Sequence, residues 1–348
     1  MSKKTRYFLI GSVLVLVVGL SVGLVAYYGG FPGFALGQGS GPDELRFVPR
    51  DASVVAYVNV REVMNSDFRK KILTMEPAGT EKGQQEFRDA TGINIETDID
   101  SVLAYLGVGG TANGVHEGVV LARGTFNEAK IRAFLTGKGA REEVYNTKTI
   151  LVPAEPGKNA PGGLVFLENG LVAVGSMDSL KKTIDAFKTG GAGNVLDNTE
   201  LMKLVDSVKG HNNAWAVGRF DAVTGQAKLP EQVTRQIPAI SYFAASGHIN
   251  GGVSGNLSME AKDEEGARNL SKVIEGFIAL AQLQMGNQKG DLQGIFKSLN
   301  LQTSSDGNKV AVSFSASPEL LDALGRLAKG VQKPQAPQPP EAPRPPQR

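Results

Sequence analysis

Three histidines, His116, His211 and His248, are the side chains best suited to metal binding or acid–base work in this chain of 348 residues. No two stand at ligand spacing, and no H-E-x-x-H pattern accompanies any of them. His116 and His248 each sit beside an Asn-Gly pair, so both read as turn histidines. Ser179-Leu180-Lys181-Lys182 matches S-x-x-K and Lys188-Thr189-Gly190 matches K-T-G, motifs that share one site in serine–lysine acyl enzymes. Here they crowd onto one helix and its end, without an S-D-N element, and read as a solvated helix face stopped by Gly190. Gly107-Val108-Gly109-Gly110 has no lysine placed for phosphates and runs into a strand-like stretch, as a thin strand and turn would. Asp98 and Asp100 precede an element start at Ser101, where capping is ordinary, and Glu264 and Glu265 suit the positive end of a helix. Trp215, the single tryptophan, reads as a core anchor on a strand. The chain has no cysteine, which excludes disulfides, thiolate nucleophiles, thiolate zinc sites and iron–sulfur clusters. No catalytic, cofactor-binding or metal-ligating residue is expected.

Those residues must be carried by a body held near a membrane. Lys3, Lys4 and Arg6 precede an apolar run over 7–28, and about 22 residues at ~1.5 Å rise cross a hydrocarbon core. Basic residues resist translocation, so 1–6 are expected in the cytoplasm and the body outside. The run is longer than a signal-peptide h-region, and it reads as a retained anchor. Gly19 and Gly23 could let two such helices pack as a homodimer. A Gly-rich tether follows over 29–44, and a Pro-rich tail over 331–348 favours extended, solvated backbone. Lys and Arg number 37 against 35 Asp and Glu, mixed along the chain, so a phosphate backbone has no basic stripe to meet and nucleic acid is not an expected partner.

Between these ends one pattern occurs twice, over 45–195 and 196–330. Ser53 to Val60 and Asn213 to Phe220 are strand-like, the first followed by a helical stretch from Arg61 and the second by Asp221-Ala222-Val223. Tyr105 to Gly124 holds Asn113-Gly114, and Phe243 to Ala261 holds Asn250-Gly251, where hairpin turns need positive φ. Helices are expected from Asn127 to Phe134 and, much longer, from Asp263. A second hairpin closes each unit, Leu164–Leu167 with Leu171–Val174, and Leu299–Thr303 with Val310–Phe314. Each leads into a helix, at Met177–Phe187 and Pro318–Leu327. Hairpin-joined strands with returning helices predict an α+β fold: antiparallel sheets with helices packed on one face, an internal duplication and one N-terminal transmembrane helix. One sheet or two is left open.

Phe47-Val48-Pro49-x-Asp51-Ala52, Gly118 to Gly124 before a helix, and Leu171-Val172-Ala173-Val174-Gly175-Ser176 together carry a resemblance. With the anchor, they make the chain similar to uncharacterised membrane-anchored bacterial envelope proteins of a domain-of-unknown-function class, over most of 45–330. The resemblance implies a bacterial origin and an extracytoplasmic body, and transfers no activity. The resulting expectation is a non-catalytic binding or scaffolding protein of the cell envelope, at the inner membrane, whose partner is an envelope protein, the cell wall or lipid. An anchored hydrolase assembled only in three dimensions, or a carrier of hydrophobic molecules, are the alternatives.

Overall fold

The computed structural model describes residues 42–69, 88–89, 92–107, 117–154, 162–189, 193–210, 212–224, 240–286 and 300–317. The expected anchor with Gly19 and Gly23, most of the tether, the Asn113-Gly114 turn, His116, His211, the Pro318–Leu327 helix and the tail lie outside the described residues. Among the described residues no helix is long and apolar enough to cross a membrane.

A 3-10 turn, Asp43–Phe47, leads into β1 (Val54–Val58), α1 (Val60–Asn65), α2 (Ile95–Asp98), β2 (Ile99–Leu106) and β3 (Gly118–Gly124). Next come α3 (Glu128–Gly137), β4 (Arg141–Tyr145), β5 (Lys148–Val152), β6 (Gly163–Glu168), β7 (Leu171–Gly175) and α4 (Met177–Lys188). A second 3-10 turn, Val195–Asp197, opens the other half: α5 (Thr199–Val208), β8 (Ala214–Arg219), α6 (Phe220–Thr224), β9 (Ile240–Ile249), β10 (Val253–Ala261), α7 (Glu264–Gly286), β11 (Gln302–Asp306) and β12 (Lys309–Ala316).

Side-chain oxygens start the helices by accepting otherwise orphaned N–H groups. Asn127 accepts from the Lys130 N–H at 2.9 Å, and Asn198 from Leu201 at 3.1 Å. Asp263 accepts from Gly266 at 2.7 Å. The hairpins follow their turn residues: Gly170 (φ 74) joins β6 to β7 and Gly307 (φ 56) joins β11 to β12. The hairpin of β4 and β5 is one the sequence pattern missed. It turns on Asn146 (φ 45) and Thr147 (φ 71), and threonine seldom fills such a position. β11 begins at Gln302 rather than Leu299, because Asn300 (φ 42) interrupts extended backbone.

The twelve strands of the described residues form one antiparallel sheet, in the order β11-β12-β10-β9-β8-β1-β2-β3-β7-β6-β5-β4. β1 is the hinge of this order. It pairs with β2 on one side and with β8 on the other, Ala56 opposite both Ala104 and Ala216. From that seam outward the strands run β1-β2-β3-β7-β6 in one direction and β8-β9-β10-β12-β11 in the other. At the seam, buried Ser53 donates to the Leu106 carbonyl at 3.1 Å, and buried Asn213 donates to the Ile249 carbonyl at 2.7 Å. Each thus holds the far end of the strand that follows its own.

The expectation of helices on one face is corrected: they cover both. Val55, Leu103, Leu121, Ala173 and Trp215 pack with Leu180 and Ile184 of α4 and Leu201 and Val205 of α5. Val54, Ala56, Ala216, Phe243 and Met259, from the alternate positions, pack with Ala267 and Leu270 of α7. The reason is legible in β1 and β8, whose apolar residues run on without the polar alternation of a one-sided sheet.

On the α4/α5 face Tyr105 is sealed in and Tyr57 is half-buried. Tyr105 donates to the Ser179 carbonyl at 3.0 Å and shares a hydrogen bond of 2.8 Å with Thr183. Burial drives its hydroxyl well above the ordinary phenol range, against the pull of Thr183. Burial, aided by the charges of Glu44 and Glu62, pushes Tyr57 up to about 12. Unfolded tyrosine ionises near ~10, so the stability tied to keeping these rings neutral is complete below that pH. It is lost as pH rises from there toward about 12. An alkaline absorbance titration followed beside circular dichroism should show these two phenols ionising last and together with unfolding. Their ionisation in a still-folded protein would contradict the buried geometry.

Candidate functional site: an open polar sheet face

On the α4/α5 face the two halves differ in what their strands present. In the first half β3 places Val119 and Leu121 there, β7 places Ala173 and β6 places Val165, and α4 seals them with Leu180 and Ile184. In the second half the strands at the same places in the order present Asn256 and Ser258 on β10, Lys309, Ala311 and Ser313 on β12, and Ser304 on β11. Asn256 and Ser304 are exposed and Ser258 half-buried. Among the described residues, one half of this face is a sealed core and the other presents exposed and half-buried polar side chains.

The open surface is concave where α5 borders it. Leu204, Ser207 and Val208 of α5 form one wall of a groove of about 320 Å³, and β9, β10 and β12 form its floor. Cross-strand pairs set the floor: Ser246 lies opposite Asn256, Ala244 opposite Ser258, and Tyr242 opposite Glu260. Glu260 faces Lys309 across the next ladder, with Nζ 3.9 Å from Oε2, and accepts from Asn308 Nδ2 at 3.3 Å. Among the described residues of the lining, the one anion and the one cation therefore balance. His248 lies on β9 opposite Ser254, and its Nδ1 is buried with no hydrogen-bond partner among the described residues.

A second cleft, about 350 Å³, lies between α4 and the approach to β1, with Arg50, Asp51, Lys182 and Asp185 in its lining. Three of these charged groups, Asp51, Lys182 and Asp185, engage one another or neighbouring side chains. Lys182 Nζ is 3.1 Å from Asp51, and Asp185 accepts from the Tyr145 hydroxyl at 2.9 Å and from Asn146 Nδ2 at 2.5 Å. The S-x-x-K residues come apart here. Ser179 is buried, taking a 2.8 Å hydrogen bond from the Ser176 hydroxyl, while Lys182 points to Asp51 at the surface. Lys188 and Thr189 end α4 as a helix terminus. Asp98 accepts from the Asn94 N–H at 2.8 Å, and Asp100 pairs with Arg61. Glu264 and Glu265 occupy the first turn of α7, and Trp215 is fully buried. Among the described residues no group of three or more His, Asp or Glu could hold a metal ion.

One constellation lay outside sequence reasoning altogether. Arg123 Nε donates to Glu44 at 2.7 Å, and its Nη2 lies 2.8 Å from Glu168. Arg46 approaches Glu168 at 3.7 Å and stacks on Phe47, 4.6 Å from the ring centre. Glu44 is buried, and the group ties the 3-10 turn to the ends of β3 and β6. Burial pulls the Arg123 guanidinium down, but its two carboxylate partners hold it above its ordinary value. Residues so far apart in sequence leave no local motif.

The molecule so built belongs to the α+β class, an antiparallel sheet clothed by helices. No family model matches the chain, and no curated protein does. Among solved structures it is similar to crystal form III of TP0453, at 11% identity and a TM-score of 0.45, over 82% of this chain and 98% of that one. Crystal form I of TP0453 matches at 11% identity and a TM-score of 0.38, over 83% and 99%.

Proposed function

We propose that this chain is a non-catalytic, membrane-anchored binding or scaffolding protein of the bacterial cell envelope, and that it binds through the open polar face of its second half. The observation that carries this reading is the contrast between two halves of one strand order. Where the first half buries Val119 and Leu121 under α4, the second presents Asn256 and Ser258 on an open surface. Polar floors of this kind add nothing to a core and suit a partner that hydrogen-bonds. The matching orders β1-β2-β3-β7-β6 and β8-β9-β10-β12-β11 support reading 45–195 and 196–330 as an internal duplication, one copy kept as core and the other turned to binding. The run over 7–28 would hold the body at the inner membrane with 1–6 in the cytoplasm, Gly19 and Gly23 offering a homodimer contact. The tether would keep the body within ~20 Å of the bilayer.

Fractionation and capture test this together. The full chain should sediment with membranes, and a version beginning at residue 42 should be released. Immobilised full chain should retain envelope material, and Ser258→Arg, which fills the groove floor with a long cation, should reduce retention at least ~10-fold. Lys272→Glu, on the exposed side of α7, should leave it unchanged, with circular dichroism verifying that both variants fold. Equal retention by Ser258→Arg and the parent would remove the open face from the proposal.

A further inference from the structure

We infer that the groove beside α5 takes a segment of neutral glycan. This rests on the reading of the open face as the binding surface, and it names the chemistry of the ligand. Three features of the lining select it. First, its side chains both donate and accept: the hydroxyls of Ser246, Ser258 and Tyr242 and the amide of Asn256. A ligand made of hydroxyl groups offers donors and acceptors in the same mixture, whereas a phosphate or carboxylate offers acceptors alone. Second, among the described residues the lining carries no net charge, because Glu260 and Lys309 lie 3.9 Å apart and offset each other. An anionic ligand would meet Glu260 and a cationic one Lys309, each with its partner already engaged. Third, half-buried Leu204 of α5, backed by Val208 in the core behind it, gives one wall an apolar patch beside that polar floor. A pyranose ring has the same division, hydroxyls at its rim and C–H groups on its face. A groove of about 320 Å³ is at the small end of ligand sites, the scale of a short sugar segment rather than a folded partner.

The experiment is titration calorimetry of the full chain in detergent micelles with the tetramer of N-acetylglucosamine. The parent should bind with a dissociation constant of about 1 mM or tighter, and Asn256→Ala should weaken it by about 10-fold. Ser258→Arg should abolish measurable heat. Raising the salt from low to high should leave the affinity unchanged, since no net charge is engaged. If the tetramer gives no heat while envelope capture still depends on Ser258, the ligand is a protein or another polymer; the glycan inference falls and the binding face stands. If capture is also indifferent to Ser258→Arg, both fall. Binding that survives Ser258→Arg would put the sugar elsewhere and overturn the inference.

Discussion

Arg123→Met should destabilise the protein by about 2–4 kcal/mol, measured by denaturant unfolding. The loss comes less from the missing ion pair than from the carboxylate left behind. Glu44 is 5% exposed and loses the 2.7 Å bond that offsets its removal from water. Arg123 itself keeps 26% of its side-chain surface in water, which places the effect toward the lower half of what breaking a fully buried pair costs. Adding Glu44→Gln should return much of the deficit, because the uncompensated charge is then gone. If both singles and the double each shift the midpoint by less than the error of extrapolation, the network is decoration on the surface of the 3-10 turn and does not hold it to the sheet.

Trp215→Ala should cost about 3–5 kcal/mol, the range for removing a large aromatic from a closed interior. The indole is 1% exposed and lies beside the ring of Tyr57, centroids 5.3 Å apart and planes at 29°. It sits on β8 at the seam, under α5, so the vacated volume borders both halves of the sheet at once. α5 also walls the groove, so the same variant should weaken envelope capture even under conditions where it remains folded. Circular dichroism is the probe for stability, because the only tryptophan fluorescence is lost. Retained stability would mean that α5 can sink to fill the space, and hydrogen exchange along 199–208 would then be unchanged.

Much of the architecture was legible because turns and caps act locally. Asn169-Gly170, Asn250-Gly251 and Asp306-Gly307 all mark hairpins that the sheet contains, and Asn127 and Asp263 open the helices assigned to them. The hairpin at Asn146-Thr147 escaped because threonine, not the glycine that announces such a turn, holds its second positive φ. Helices on both faces were written in Val54-Val55-Ala56-Tyr57-Val58, a run with no polar alternation, yet which helix covers which face depends on strand order. The β1–β8 pairing joins segments separated by most of the first half, and no short-range signal specifies it. The groove illustrates the same limit. Asn256, Ser258 and Lys309 are individually unremarkable in sequence, and only the ladder from β9 through β10 to β12 sets them on one floor. The Arg123 network is more hidden still, since Glu44, Arg123 and Glu168 meet from three separate elements.

The seam between β1 and β8 also bears on how the chain comes into being. A ribosome delivers β1 and all of its first-half neighbours before β8 exists, so for that interval one edge of Val54–Val58 has backbone donors and acceptors and nothing to meet them. Among the described residues the edge that β4 forms is differently made: it carries Arg141, Glu142 and Glu143, charges that discourage a foreign strand. β1 carries no charge at all, and its uncharged β-branched run is the kind of segment that joins other nascent chains. The late-arriving β8 closes that exposed edge by pairing with Val54–Val58 along its whole length.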